Sequence, residues 1–396
     1  MTDLLAGEVP HQSDELRTSS GIETQPSAPL IPVRVADFFC GCGGTSAGLQ
    51  AAGMKVAFGL DFDSEAAITY RRNFSDASFI EQDISNVEPS EVAAAVGRDD
   101  GPLLFSACAP CQPYSNFGGA KKRDPRRTLL LRLLPFVEHL RPDLLFIENV
   151  PGLHAQQAPA GTFARFCKAL RADGFHVASE VVDCQSYGVP QRRRRLIVMA
   201  SRYGPIEIPE PTNGRAIGLL PVSTVWEWIG DLPPIDAGEQ HDSVPNHLAS
   251  ALTDINVRRL RATPPGGGRA DWPEDLRLAC HAEHRGHSDV YGRMRADAPA
   301  PALTTKCTSI SNGRFGHPFQ DRPISVREAA SLQTFPRDFV FEGGIKSATR
   351  QIGNAVPVLL AHRVGEAFLK HLRDYGIETA SPLGQAPSEI TPFGGA

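Results

Sequence analysis

Cys111 stands between two prolines, Pro110 and Pro113, a few residues after the apolar run Leu103-Leu104-Phe105. The run reads as a buried strand, so the thiol falls where a strand gives way to a loop, on backbone that proline stiffens from both sides. In α/β sheets reactive groups gather at the carboxyl ends of strands. A cysteine there is a candidate nucleophile, although a single Cys is more often a buried structural residue. Glu148 repeats the placement after Leu144-Leu145-Phe146-Ile147, a second buried strand. A carboxyl between apolar walls is able to hold a proton near neutrality; elsewhere such a residue caps a helix or joins an ion pair. Gln191, Arg193 and Arg195 precede a third apolar run, Leu196-Ile197-Val198-Met199. Side chains alternate along a strand, so these groups share one face and together offer donors for oxygens or phosphates. The plainer account of that stretch is a solvated basic run.

A glycine-rich turn adds binding to this chemistry. Phe39, Gly41, Gly43 and Gly44 lie in Asp37-Phe38-Phe39-Cys40-Gly41-Cys42-Gly43-Gly44-Thr45-Ser46, which joins a strand to a helix. Glycine lets the backbone turn sharply and approach a ligand. The dinucleotide fingerprint is imperfect, because Ser46 takes its third glycine position, and that argues against a nicotinamide cofactor. Asp61, at the end of the next strand, is placed to accept from ribose hydroxyls. Asp83 closes the strand after it and is placed to receive an adenine amino group, with Phe39 stacked on the ring. A nucleoside site is described, with no demand for a pyrophosphate. Ordinary strand-terminal acids are the alternative reading of Asp61 and Asp83.

The elements that must position these groups alternate along the first half of the chain. Strand signals at 33–39, 55–61, 78–83, 103–107, 143–150 and 196–200 are interleaved with helix signals at 45–52 and at 64–73, the second capped by Ser64. Such alternation predicts a parallel sheet covered by helices, a doubly wound Rossmann-like α/β fold. After residue 206 the texture changes. Residues 206–300 are rich in Pro and Gly, as in Leu232-Pro233-Pro234 and Pro264-Pro265-Gly266-Gly267-Gly268, and carry His241, His247, His281, His284 and His287. Helical signal returns at 325–334 and 355–372. The expected organisation is a disordered tail over 1–29, a catalytic and cofactor domain over 30–205, and a smaller domain over 206–320. The chain then returns to the catalytic domain over 321–375 and ends in a second disordered tail, 376–396.

Bulk properties exclude little but are consistent. A chain of 396 residues is long enough for two domains. A formal net charge of −5 does not advertise a nucleic-acid binder, yet local basic patches outweigh the total. No apolar run approaches the roughly 18–20 residues that span a bilayer, and the first residues lack the pattern of a secretory signal. Eight cysteines without such a signal imply reduced thiols in the cytoplasm.

Taken in order, the motifs resemble those of the DNA (cytosine-5) methyltransferase family of the bacterial restriction–modification type. The resemblance runs through the 39–44 turn, Asp61, Asp83, Pro110-Cys111-Gln112, Glu148-Asn149-Val150 and Gln191-x-Arg193-x-Arg195. It continues in Arg327-Glu328-Ala329-Ala330 with Leu332-Gln333, and in Gln351-Ile352-Gly353-Asn354-Ala355-Val356-Pro357. It implies S-adenosyl-L-methionine as methyl donor and a cytosine flipped out of duplex DNA as acceptor. The cofactor contacts it implies come from Phe39, Gly41, Gly43, Gly44, Asp61, Asp83, Pro110 and Asn354. Cys111 as thiolate would add to carbon 6 of cytosine and make carbon 5 a nucleophile. Glu148, protonated, would bond the ring N3 and the exocyclic amine. Arg195 would bind O2, with Arg193 supporting the site or a phosphate. The base that removes the C5 proton is not identified.

DNA contacts are expected from Gln191 and Thr304 and from Lys121, Lys122, Arg123, Arg126 and Arg127. The last five lie in a glycine-hinged basic segment suited to closing over phosphates, whose other reading is a mobile solvated loop. Thr304-Thr305 marks the junction between reader and scaffold. Arg258, Arg259, Arg261, Arg269, Arg285, Arg293 and Arg314 are candidate base readers, since arginine to guanine is the commonest base contact, although most such groups touch phosphate.

The chain departs from the family pattern in three places. It has Ala107-Cys108-Ala109-Pro110-Cys111 where Gly-Gly-Pro-Pro-Cys is usual, Tyr114 for Phe, and Cys40 and Cys42 where Ala and an apolar residue are commoner. A zinc or iron–sulfur reading of Cys40-x-Cys42 with Cys108-x-x-Cys111 competes, but the motifs account for Cys111 and the glycine turn without a metal, and none is expected. A non-catalytic DNA-binding relative would have lost Cys111 or Glu148. A tRNA-methylating branch shares the motifs but carries little sequence where this chain has 206–300. The expectation is a monomeric, cytoplasmic, nucleoid-associated modification enzyme acting at a specific duplex site, partnered in function by a cognate restriction endonuclease.

Overall fold

Apolar stretches too short for helices and bounded by turn residues become the strands of one sheet. The structure, a computed structural model, describes residues 31–97, 101–110, 124–154, 161–278, 289–379 and 390. Its first half runs β1 (Arg34–Phe38), α1 (Gly44–Ala51), β2 (Lys55–Asp61), α2 (Ser64–Asn73), β3 (Ser78–Glu81), α3 (Pro89–Val96) and β4 (Leu103–Ala107). Then come α4 (Leu134–Leu140), β5 (Leu144–Asn149), α5 (Pro151–His154), α6 (Thr162–Ala172), β6 (His176–Asp183), β7 (Gln191–Arg192) and β8 (Arg194–Ser201). Asp63, not Ser64, caps α2, accepting from the backbone N–H groups of Glu65 and Ala66.

The sheet has seven strands in the order β3-β2-β1-β4-β5-β8-β6. β1 to β5 pair in parallel. β8 is antiparallel to both its neighbours, so the sheet is mixed where a parallel one was expected. The cause is the short connection from β6 to β8, which turns through Gly188 in a left-handed conformation (φ 86°). A parallel return needs a crossover of a dozen or more residues.

Both faces of the sheet are covered, and alternate residues feed separate cores. Leu104, Leu144, Phe146 and Met199 pack on one side; Phe105, Leu145, Ile147 and Val198 pack on the other, against α3, α4 and α6. The first of these cores takes in Val225, Trp228, Met294, Leu303 and Phe315 from the irregular part of the chain. That part holds α7 (Val225–Ile229), α8 (Asp254–Arg261) and β9 (Ala300–Pro301), which pairs with β7. It leads into α9 (Val326–Leu332), α10 (Ile345–Asn354) and α11 (Val358–Asp374). The helix expected from 355 starts after Pro357, because the residue before a proline is held extended. α11 lies directly on α1: a Cβ on Gly48 would meet the Val358 carbonyl oxygen at 2.4 Å. This contact carries the 351–357 stretch to the glycine turn. Among the described residues no helix is long and apolar enough to cross a membrane.

Candidate active site

The carboxyl ends of β1, β4 and β5 meet at one edge of the sheet. The chain leaving β4 is stitched there on both sides. Cys108 N donates to Phe38 O at 3.3 Å, and Asn149 Nδ2 donates to Ala109 O at 3.0 Å. Pro110 follows at this edge, while Cys111 itself lies outside the described residues, as do Lys121, Lys122 and Arg123. Ala107 pairs with Ile147, which sets Cys108 opposite Glu148. The Cys108 thiol lies 2.9 Å from Glu148 Oε2.

Glu148 is 4% exposed. Arg195 Nε approaches its Oε1 to 2.7 Å as an ion pair but is misaligned for a hydrogen bond, so this buried oxygen keeps an unfilled acceptor position among the described residues. A buried acceptor without an aligned donor is costly and marks a place where an incoming donor is accommodated.

The three groups read as one DNA- or substrate-facing row divide. Gln191 is fully buried, donating to Gln333 Oε1 at 2.6 Å and accepting from Leu303 N at 2.9 Å. Arg193 is also buried, donating to the carbonyl oxygens of Leu303 at 3.0 Å, Gly353 at 3.3 Å and Ala355 at 3.2 Å. Burial, with Arg195 beside it, lowers the Arg193 guanidinium to about 10, so it stays charged at neutral pH. Gln191 is therefore corrected from DNA contact to internal brace; of the two roles expected for Arg193, burial on carbonyls fits support of the site and not a phosphate contact. Both side chains meet protein carbonyl oxygens, which buried donors require. Arg195 alone stays beside Glu148.

The cofactor candidates mostly converge. Phe39, Asp61, Asp83 and Pro110 line one cleft at the same edge, together with Leu60, Phe62, Gln82, Ile84 and Leu129. Phe39 takes a left-handed conformation (φ 55°) at the end of β1, backbone strain of the kind that clusters at functional sites. Asp61 Oδ2 accepts from Gly41 N at 2.8 Å and its Oδ1 from Asp63 N at 2.9 Å, so the acid also shapes the glycine turn. Asp83 accepts from Ser85 N at 2.8 Å and is exposed. The glycines differ in purpose. A Cβ on Gly41 would meet nothing within 4 Å, whereas on Gly43 it would meet Phe74 Cε2 at 2.3 Å and on Gly44 the Val356 carbonyl oxygen at 2.6 Å. Gly41 faces open space; Gly43 and Gly44 are needed for packing. Asn354 is exposed beside Ala355, which touches Gly44.

Phe62, Gln82, Ile84 and Leu129 were missed by sequence reasoning. For Phe62, 64% exposed, the signal was a large apolar residue directly after a strand-terminal acid. Ser46, which breaks the dinucleotide fingerprint, donates to buried Asp37 at 2.7 Å, and Ser106 donates to it at 2.5 Å. Burial raises the Asp37 carboxyl to about 7, against the pull of both hydroxyls. Cys40 and Cys42 are buried thiols, and burial pushes Cys42 up to about 12. Among the described residues no cluster of three or more His, Cys, Asp or Glu side chains is arranged to hold a metal.

The remaining candidates divide between brace and surface. Thr304 is exposed, with its backbone pressed on Gly353, where a Cβ would meet Thr304 O at 2.4 Å. Arg126 is exposed and paired with Asp124 at 2.6 Å; the Arg127 side chain and Arg285 lie outside what is described. Arg293 is buried on the carbonyls of Leu260, Thr263 and His317, which corrects it from base reader to brace. Arg314 ties Gly266 O at 2.7 Å, and Arg259 lies over the Trp272 ring at 5.2 Å. Arg258 and Arg261 sit in exposed pairs with Asp275 and Asp321, and Arg269 is half-buried.

The family model for C-5 cytosine-specific DNA methylase matches residues 33–370. The Type II methylase M.HgiDII of Herpetosiphon aurantiacus is 40% identical over 346 residues, covering 85% of this chain and 95% of that protein. The Type II methyltransferase M.Eco47II of Escherichia coli is 32% identical, covering 91% of this chain and 82% of its own. Among solved structures, a prophage-encoded Escherichia coli protein superposes with TM-score 0.67 at 22% identity, covering 86% of this chain and 99% of that one. The S. pombe Dnmt2 methyltransferase gives 0.53 at 18%, with 86% and 99% covered. At these identities the structural likeness concerns the fold.

Proposed function

The chain belongs to the C-5 cytosine-specific DNA methylase family and is a DNA cytosine-5 methyltransferase of the Type II restriction–modification kind; we propose that it works through a covalent Cys111 adduct on a cytosine flipped out of a specific duplex site. The observation that carries this reading is the unfilled Oε1 of buried Glu148, at the sheet edge from which the chain runs on to Cys111.

Carbon 5 of cytosine is a weak nucleophile and is out of reach in a stacked duplex, so the base must be extruded and activated. The Cys111 thiolate forms a bond to carbon 6, and the electron pair of the 5,6 double bond becomes available at carbon 5. Glu148, protonated, donates to N3 and accepts from the exocyclic amine, and Arg195, beside it, takes O2. Once carbon 5 is methylated, loss of its proton returns the pair to the ring, and the thiolate leaves.

S-adenosyl-L-methionine, when bound, supplies the methyl group. The cleft suits its nucleoside half: Asp61 and Asp83 offer carboxylates, and Phe39 and Phe62 offer rings, while Gly41, in the adjoining turn, faces open space. Asn354, Gly43, Gly44 and Pro110 complete the cofactor set of this reading. Gln191 and Arg193 hold the site from beneath. The 206–320 region serves as reader of the target, with Thr304 at its junction, and the basic segment containing Arg126 follows the nucleophile in sequence and contacts the DNA. A cognate endonuclease would cut the same site when unmethylated.

The test is a duplex containing 5-fluorocytosine at the target position, which cannot lose a proton from carbon 5. The expected result is a stable protein–DNA adduct that mass spectrometry places on Cys111. Absence of an adduct under turnover conditions, or its location on another side chain, overturns the covalent reading. Parallel assays on duplex DNA and tRNA decide the polymer.

A further inference from the structure

Cys108 occupies a place where the family pattern has glycine, and its thiol has no part in the chemistry described above. It lies at the end of β4, facing Glu148 across the register set by Ala107 and Ile147. Its backbone is fixed through Cys108 N on Phe38 O and, one residue on, through Ala109 O on Asn149 Nδ2. The main chain that carries the thiol is therefore held in place opposite Glu148.

A glutamate carboxyl turns easily about its last torsion, which is broad and two-fold. A carboxyl that must offer one chosen oxygen to a base needs the other oxygen held. Around Glu148 stand Cys108 from β4, Arg193 and Arg195 on the strand leading from β7 into β8, and Cys184 from the turn after β6. Cys108 Sγ is 2.9 Å from Oε2, while Oε1, in a side chain only 4% exposed, faces Arg195 Nε at 2.7 Å as an ion pair with no aligned hydrogen bond. One oxygen takes the thiol, and the other, beside Arg195, keeps an acceptor position without an aligned donor.

We propose that Cys108 is a positioning residue for cytosine methylation: its S–H donates to Oε2 of Glu148 and so presents Oε1 to the flipped base. The proposal rests on the reading that Glu148 meets the cytosine. A thiol is a weak donor, so its value here is directional; it fixes which oxygen points into the site.

The test compares single-turnover methyl transfer by the full chain, from labelled S-adenosyl-L-methionine to unmethylated duplex DNA, for the parent, Cys108→Ala and Cys108→Ser. Cys108→Ala should slow transfer by up to about tenfold, the scale of one ordinary hydrogen bond, with cofactor affinity measured by calorimetry unchanged. Cys108→Ser, whose hydroxyl donates from the same place, should recover to within about threefold of the parent. In a Glu148→Gln background Cys108→Ala should add no further loss, because the two groups act as one unit. Cys108→Gly removes the donor without adding volume and replaces Cys108→Ala if that variant does not melt cooperatively. An unimpaired Cys108→Ala, a Cys108→Ser as slow as Cys108→Ala, or full additivity with Glu148→Gln overturns the proposal. A parent that leaves cytosine unmethylated defeats the functional reading instead, so the two failures are distinct.

Discussion

Arg193 donates from both Nη atoms to the carbonyl oxygen of Gly353, 160 positions further along the chain. The same guanidinium reaches Leu303 O and Ala355 O. One side chain thus closes the junction between β7–β8, the Thr304 segment and the turn before α11. Replacement by Met should lower stability by about 2–4 kcal/mol, since several buried carbonyls lose their donor. The readout is a fall in Tm together with the salt dependence of DNA binding. A brace leaves that slope unchanged, whereas removing a phosphate contact reduces it by about one.

Glu148→Gln keeps the volume and removes the carboxyl. Methyl transfer should fall by about 10²–10⁴, the range for a positioned acid or base, while calorimetric binding of S-adenosylhomocysteine stays at the parent value. Near-parental turnover would remove Glu148 from the chemistry.

The glycine turn gives a paired prediction. Gly43 has φ 97° and no room for a Cβ beside Phe74, so Gly43→Ala should lower Tm. Gly41 has φ 53° with open space around it, and Gly41→Ala should cost about 1–2 kcal/mol of backbone strain at most. On the proposed cofactor placement its larger effect should be weaker cofactor binding, because the added methyl group would enter the open space beside the turn. Calorimetry and melting curves on the two variants separate packing from binding.

His317 predicts an acid weakness. Its Nδ1 accepts from Phe319 N at 3.1 Å and Gln320 N at 2.9 Å, which requires the tautomer with the proton on Nε2. Burial lowers this histidine from 6.5 to about 4. Between those values the unfolded chain takes a proton that the folded chain refuses, so stability falls as pH drops from 6.5 toward 4. His317→Asn keeps an acceptor near Nδ1 without the titration. The Tm gap between parent and variant should narrow or reverse as pH falls through that window. Asp37, raised to about 7, acts in the opposite direction over an overlapping range, but it is common to both proteins and cancels. A gap constant with pH would refute the assignment.

Much of the scaffold was legible because it is written in local runs. The residues of β2 and β4 stand as read, and β1, β5 and α2 differ from the reading by a residue or so at their ends, since a short apolar stretch with its own turn or cap residues needs no distant partner to be recognised. β6 escaped notice. His176–Asp183 is an edge strand of mostly partial burial, HVASEVVD, with no continuous apolar run. α10 escaped because Ser347, Thr349 and Gln351 are buried polar residues, sheltered by neighbours far away in sequence.

The sequence by itself determined the order of motifs and the strand ends on which Glu148, Asp61 and the loop to Cys111 are carried. Period-two and cap patterns are properties of contiguous residues, so they survive in one dimension. Only the tertiary structure decided what each face meets. It reversed β8 because the link from β6 is too short to cross over, turned Gln191 and Arg193 onto buried carbonyls, and set the Cys108 thiol against one oxygen of Glu148. Those outcomes depend on which distant segments supply acceptors and donors, and no periodicity along the chain encodes that.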